Sequence, residues 1–264
     1  MLPPRPRAIG PVNWMGLATH LGKEIRRFLK VGLQTLLAPV VTTLLFLAIF
    51  TLALGRAMET VAGVPFVEFL APGLIMMAVI QNSFANTATS LMSAKIQGNI
   101  VDVLMPPLNA AELTFGFAVG GAVRGVMVAV CVGLAIWAFA PLRIHDPALV
   151  LFHVVGAAML LSMLGLATGI VCEKFDHQAS VSNFVVMPLS FLSGTFYSID
   201  RLPPFWQEVA LYNPFFYMID GFRYGFIGHA DASLAVGIAV VCALNAAMWA
   251  ACHIMFATGY RLKS

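Results

Sequence analysis

The sequence predicts an all-α integral membrane protein. It should have six transmembrane helices, an N-terminal amphipathic interfacial helix and a short two-helix re-entrant hairpin before the last span. Three observations carry that expectation. Of 264 residues, 60% are hydrophobic and 10% charged, whereas soluble domains carry about 25% charged residues. Mean hydropathy is +0.88. The apolar residues are gathered into runs near the length needed to cross a bilayer, about 20 residues at 1.5 Å rise each.

Met1 to Pro11 holds four prolines and two arginines and reads as a flexible tail. From Asn13 to Lys30, Trp14, Leu17, Ala18, Leu21, Ile25, Phe28 and Leu29 recur at helical spacing and share a face. His20, Lys23, Glu24, Arg26, Arg27 and Lys30 lie mostly elsewhere. This pattern suits a helix flat in the headgroup plane, and equally the basic flank that orients the first span. Residues 1–30 therefore form a cytoplasmic tail and interfacial helix, and 31–264 one membrane domain. The first apolar run is too long for a signal-peptide core, so no cleavage is expected.

The spans are placed at Val31–Leu54, Phe69–Leu91, Leu113–Phe139, Leu149–Val171, Ala179–Tyr197 and within Asp231–Phe256. Pro39 is a candidate kink in the first. With the N-terminus inside, the cytoplasmic segments hold Arg5, Arg7, Lys23, Arg26, Arg27, Lys30, Lys95, Lys174, Arg261 and Lys263. The outer segments hold Arg56, Arg143, Arg201 and Arg223. Ten cations against four favour both termini inside, by the positive-inside rule.

Catalytic signatures are lacking. Gly22-Lys23 has no glycine-rich lead and is followed by Glu24, so no phosphate loop exists. No serine has the His and Asp setting of a nucleophile. Cys131, Cys172, Cys242 and Cys252 lie in or beside apolar runs, so neither a disulfide nor a metal site is expected. No Asp or Glu falls deep in a span, which weakens a proton-coupled carrier.

Some polar residues do enter the apolar runs. Arg124 sits well inside the third span, flanked by Gly120, Gly121 and Gly125. It is either a contact on a polar pathway or a structural group bonded to neighbouring helices. Gly116/Gly120 and Gly121/Gly125 have the spacing that lets helices approach closely. On the second span Asn82, Asn86, Thr89 and Ser93 form one polar stripe. The stripe either lines a path or bonds helix to helix.

The re-entrant stretch follows the fifth span. Pro203 and Pro204 make a turn, and Phe205–Leu211 reads as a short helix that Asn213-Pro214 ends. Phe215–Ile227 reads as a second helix, about 20 Å long and so short of the 30 Å core. It carries Asp220 and Arg223, which at i and i+3 can meet on one face. On physics alone, an amphipathic loop lying on the membrane is an equal alternative.

The longest internal connection runs from Leu91 to Leu113. Ala94–Leu104 can form a mildly amphipathic helix ended by Pro106-Pro107. A second short charged loop is Glu173-Lys174-Phe175-Asp176.

These segments carry a resemblance. The run LSGTFYSIDRLPPFWQ…YNPFFYMIDGFRYGF resembles the segment before the last helix of ABC transmembrane type-2 permeases. Pro72-Gly73-Leu74 and the Leu104-x-x-Pro107 ending are similar to the same family, and the likeness covers nearly the whole chain. The resemblance implies a bacterial inner-membrane exporter subunit without an ATPase site of its own. It implies a homodimer, or a pseudo-symmetric dimer, with two copies of a cytoplasmic ATPase that binds ATP and Mg²⁺. No nucleic acid is expected, and lipid is the surrounding partner. It also implies ATPase-coupling roles for Gln97, Gly98, Asn99, Ile100, Asp102, Val103 and Leu104, and for Glu173 and Lys174. Alternatives are a secondary transporter or channel, and a non-transporting scaffold. Substrates in the family include glycolipids, polysaccharides and drugs, and no residue here selects one.

Overall fold

The computed structural model describes residues 10–55, 60–61 and 63–262. Most of the expected tail, Arg5, Arg7, Arg56 and Lys263 lie outside them. Among the described residues the chain is an all-α membrane protein apart from a minimal antiparallel hairpin, β1 (Thr60–Val61) with β2 (Val64–Pro65). Among the described residues, five helices are long and apolar enough to cross a membrane. They are α2 (Ala38–Leu54, extended back to Leu33 by a π turn), α3 (Phe66–Ile96), α5 (Ala110–Trp137), α6 (Pro147–Val171) and α11 (Leu234–Thr258).

The bundle is built around α3. Every residue from Phe69 to Ile80 in it is buried. Helices α5 and α6 pack on it, and both contacts depend on small residues. A Cβ at Gly121 would strike Ser162 and Thr87, and one at Gly165 would strike the Phe84 carbonyl. Hydrocarbon does not drive apolar helices together, so close backbone approach and the contacts it permits are what hold them. The spacing at 121 and 125 thus brings α5 against α3 and α6. The spacing at 116 and 120 serves a different partner, α1 (Trp14–Leu29), since Cβ atoms there would meet His20 and Glu24.

Helix α1 departs from its expected orientation. Trp14 and Leu29, on the expected apolar face, are exposed, while His20 and Glu24 are buried with Leu17 and Phe28. The polar side turns inward because α3 offers it a polar stripe. Amphipathicity defines two faces but not which medium each meets.

Prolines explain two irregular stretches. The π turn Leu33–Leu37 precedes Pro39, and a second, Ser182–Val186, precedes Pro188. Proline has no N–H to continue the helical ladder, so the register adjusts just upstream. The expected fifth span, Ala179–Tyr197, is not one of these five helices. Its helical run is α7 (Phe175–Val181), the π turn and α8 (Met187–Phe191), of seven, five and five residues. That is about 25 Å of helix, less than the hydrocarbon core. The run ends in a turn at Gly194, whose φ of +70° suits glycine.

Helices α9 (Pro204–Tyr212) and α10 (Pro214–Ile227) follow, broken at Asn213 as expected. The Asn213 side chain accepts from the Phe215 N–H at 3.0 Å and donates to the Leu189 carbonyl at 2.7 Å. Asp220 and Arg223 are both buried but form no ion pair with each other among the described residues. Asp220 instead accepts from the N–H groups of Asp231 and Ala232, and Arg223 donates to the Gly194 carbonyl at 2.6 Å. Backbone groups at the ends of this hairpin needed partners, and these two side chains supply them.

Candidate functional site

Two arrangements stand out: a pair of loops at one end of the bundle, and a polar cavity between α1, α2, α3 and α5.

At the loop end, α3 stops in a turn at Gln97, where Gly98 has φ +74°. A left-handed glycine ends a helix readily. The expected helix Ala94–Leu104 is therefore split. Ala94–Ile96 belongs to α3, and only α4 (Ile100–Leu104) forms afterwards. Gln97, Gly98, Asn99 and Asp102 are exposed, Ile100 and Leu104 half-buried, and Val103 buried. Val103 anchors α4 on a cluster with Leu91, Leu113, Phe256 and Leu262. Exposed Glu173 and Lys174 lie beside this turn, because Lys95 Nζ donates to the Ile170 and Cys172 carbonyls, each at 2.7 Å. Arg261 Nη1 also reaches the Val171 carbonyl. The Asn13 N–H donates to Glu112 Oε1 at 2.6 Å, while Glu112 closes the capping box of α5 with Asn109. Both described ends of the chain are thus tied to this end.

Two exposed apolar residues were not singled out from the sequence: Val101 on α4 and Met105, which caps its end, 53% and 76% exposed. They are four residues apart, which places them on one side of the turn. Read as part of a longer helix, they had no distinct face.

The second arrangement begins at α1. The Glu24 carboxylate accepts from Ser90 Oγ at 2.8 and 2.9 Å and pairs with Arg27 at 3.4 Å. Arg27 Nη2 also donates to the Asn86 carbonyl at 2.7 Å and to Asn86 Oδ1 at 2.9 Å. From the other side, Arg124 Nη2 donates to Asn82 Oδ1 at 3.0 Å. The Asn82 and Asn86 positions of the stripe therefore each hold one guanidinium, whereas Thr89 bonds only the Ala85 and Asn86 carbonyls of its own helix. Burial pushes the His20 imidazole below its ordinary range, against the pull of Glu24. It packs edge-on to Phe117.

Arg27, Arg124, Asn82 and Thr89 line one cavity of about 510 Å³. Its remaining walls come from the π turn and first half of α2 and from α3. The sequence flagged Arg124, Asn82, Asn86 and Thr89 but missed Glu24, Arg27 and Ser90. The spacing of Glu24 and Arg27, three apart on a helix, was a usable signal for a pair facing one direction.

A family profile described as ABC-2 type transporter matches residues 16–227. The chain belongs to the ABC-2 type transporter family. The permease is 38% identical over 251 residues to the inner membrane transport permease YadH of Escherichia coli K12, covering 95% of this chain and 98% of that one. It is 22% identical over 237 residues to nodulation protein J of Rhizobium leguminosarum bv. viciae, covering 88% and 89%. It is likewise 20% identical over 235 residues to nodulation protein J of Neorhizobium galegae, covering 88% of each. Permeases of this family generally work with an ATPase partner.

Proposed function

We propose that this permease is the membrane subunit of an ATP-binding cassette exporter in a bacterial inner membrane. Two copies form a homodimer, and two copies of a cytoplasmic ATPase bind ATP and Mg²⁺ and dock on the loop end. This chain contributes no nucleotide site. The carrying observation is that α4 and the 173–174 loop follow the ends of α3 and α6, which Lys95 of α3 holds together through the Ile170 and Cys172 carbonyls. A partner that closes on both would move α3 and α6 together. Coupling then requires only that the partner engage two permease conformations differently. The export direction and the substrate range, glycolipid, polysaccharide or drug-like molecule, follow from the family resemblance. The experiment is co-expression with candidate ATPases and reconstitution of the complex. ATP-dependent accumulation should need both subunits, and the purified permease alone should hydrolyse no ATP. Hydrolysis by the rigorously purified single chain would remove this reading.

The proposed topology has six crossings, with both termini cytoplasmic and Phe175–Phe191 as the fifth. Two contacts support a hairpin that enters and returns on the outer side. The Ile199 N–H, before α9, donates to Asp231 Oδ2, after α10, at 3.0 Å. The His145 and Asp146 N–H groups, between α5 and α6, both donate to the Gly225 carbonyl. In a chain freed of its native cysteines, Asp200→Cys and Ser233→Cys should both react with an impermeant thiol reagent added outside. Both positions are exposed. Labelling of Ser233→Cys only from the cytoplasm would mean that the segment crosses.

A further inference from the structure

We infer that the cavity between α1, α2, α3 and α5 binds the anionic headgroup of an amphiphile, a phosphate monoester or a free carboxylate carrying an apolar tail. The inference deepens the exporter reading and rests on it, by naming the chemistry of what enters the path.

The first ground is charge. Arg27 and Arg124 both line the cavity, and among the described residues no Asp or Glu does. The acid beside it, Glu24, is turned onto Ser90 Oγ and pairs with Arg27 at its edge. Counting these three side chains, two cations face one anion, a surplus of one positive charge. Ionisable groups inside a membrane are costly and are usually retained for a partner.

The second ground is hydrogen bonding. Arg27 Nε, Arg124 Nε and Gln81 Nε2 are buried donors with no acceptor among the described residues, and all three residues line the cavity. Buried donors normally find partners. A surplus of donors around a cationic space selects an acceptor-rich anion, and a guanidinium matches the geometry of phosphate or carboxylate oxygens.

The third ground is the shape of the walls. Arg27, near the end of α1, and Arg124, about 21 Å along α5 from Ala110, meet α3 one helical turn apart, at Asn86 and Asn82. Past Asn82, on the side away from Arg27, the α3 wall continues as Ala78, Met77 and Leu74, and α2 adds Phe46, which suit an apolar stem rather than a hydrated ion. The facing wall is the π turn of α2, carrying Gln34 and Thr35. Such turns break the regular ladder and recur at functional sites. Leu33, Leu37, Val41 and Leu45, on another face of that segment, are exposed, so the wall that closes the cavity is apolar on its outside.

The test uses the full-length permease in a neutral maltoside detergent, without ATPase. Dodecyl phosphate, inorganic phosphate and dodecyl glucoside are titrated by calorimetry. Dodecyl phosphate should bind saturably, and both other compounds should bind more weakly. Arg27→Gln and Arg124→Gln should each weaken it about tenfold, the size of one charged hydrogen bond. A second variant guards against misfolding. Gln34→Glu places an acid in the cavity wall at an exposed position. It should weaken dodecyl phosphate at least as much, with an unchanged melting temperature. Unaltered affinity in Gln34→Glu, or equal binding of dodecyl glucoside, overturns the anion site. Equal binding of inorganic phosphate overturns the amphiphile. None of these outcomes bears on whether an ATPase docks, so this inference and the exporter reading fail separately.

Discussion

Arg223→Leu lowers the apparent melting temperature of the detergent-solubilised permease and cuts its yield. Arg223 is 1% exposed in the second helix of the hairpin. Its Nη2 donates to the Gly194 carbonyl, and its guanidinium carbon sits 3.9 Å from the centre of the Phe69 ring. One side chain thus ties the hairpin to the turn after α8 and to the central helix α3. Leucine fills part of the volume but donates nothing, so the Gly194 carbonyl is left buried and unpaired. A hydrogen bond to a charged group contributes about 1.5–3 kcal/mol, and a desolvated cation–π contact about 2 kcal/mol. Arg223 Nε and Nη1 have no partner among the described residues, so relief of their burial offsets part of that loss. The expected net destabilisation is about 2–3 kcal/mol. Thermal unfolding followed by size-exclusion recovery measures it. Wild-type recovery in Arg223→Leu would show that the turn is held by other contacts.

The other large effect is on assembly. Val101→Asp combined with Met105→Asp should abolish co-purification of the ATPase while leaving the melting temperature unchanged. Both residues are exposed, Val101 on α4 and Met105 at its C-cap, so neither supports the bundle. If they are anchors in the ATPase, each truncation at an interface hot spot costs about 2–4 kcal/mol, and burying a carboxylate there adds to it. Proline at Ile100 is a poorer probe, because Ile100 is the first residue of α4, where proline is tolerated. Pull-down from co-expressing cells provides the readout. An intact complex from the double variant would move the docking surface off α4.

The membrane class, the positions of most spans and the family were legible in the residues themselves. Hydropathy is a local quantity, and a run such as Leu149–Val171 meets the bilayer length whatever its neighbours do. The break at Asn213-Pro214 was equally local, since proline restricts its own residue and the one before it. Where a span ended by proline and glycine chemistry, as at Gly98, the composition was visible but its effect depended on the backbone adopting φ +74°.

Partners were another matter. Asp220 and Arg223 have the spacing of an ion pair, yet each went to a backbone group that only the folded hairpin brings near. Glu24 and Arg27 read as headgroup-facing charges, yet they turned inward onto Ser90 and Asn86, some sixty positions away. A sequence specifies which groups must be paired on leaving water. Which pairs form is decided by the packing of α1, α3 and α5, because a buried polar group takes the partner that packing delivers to it.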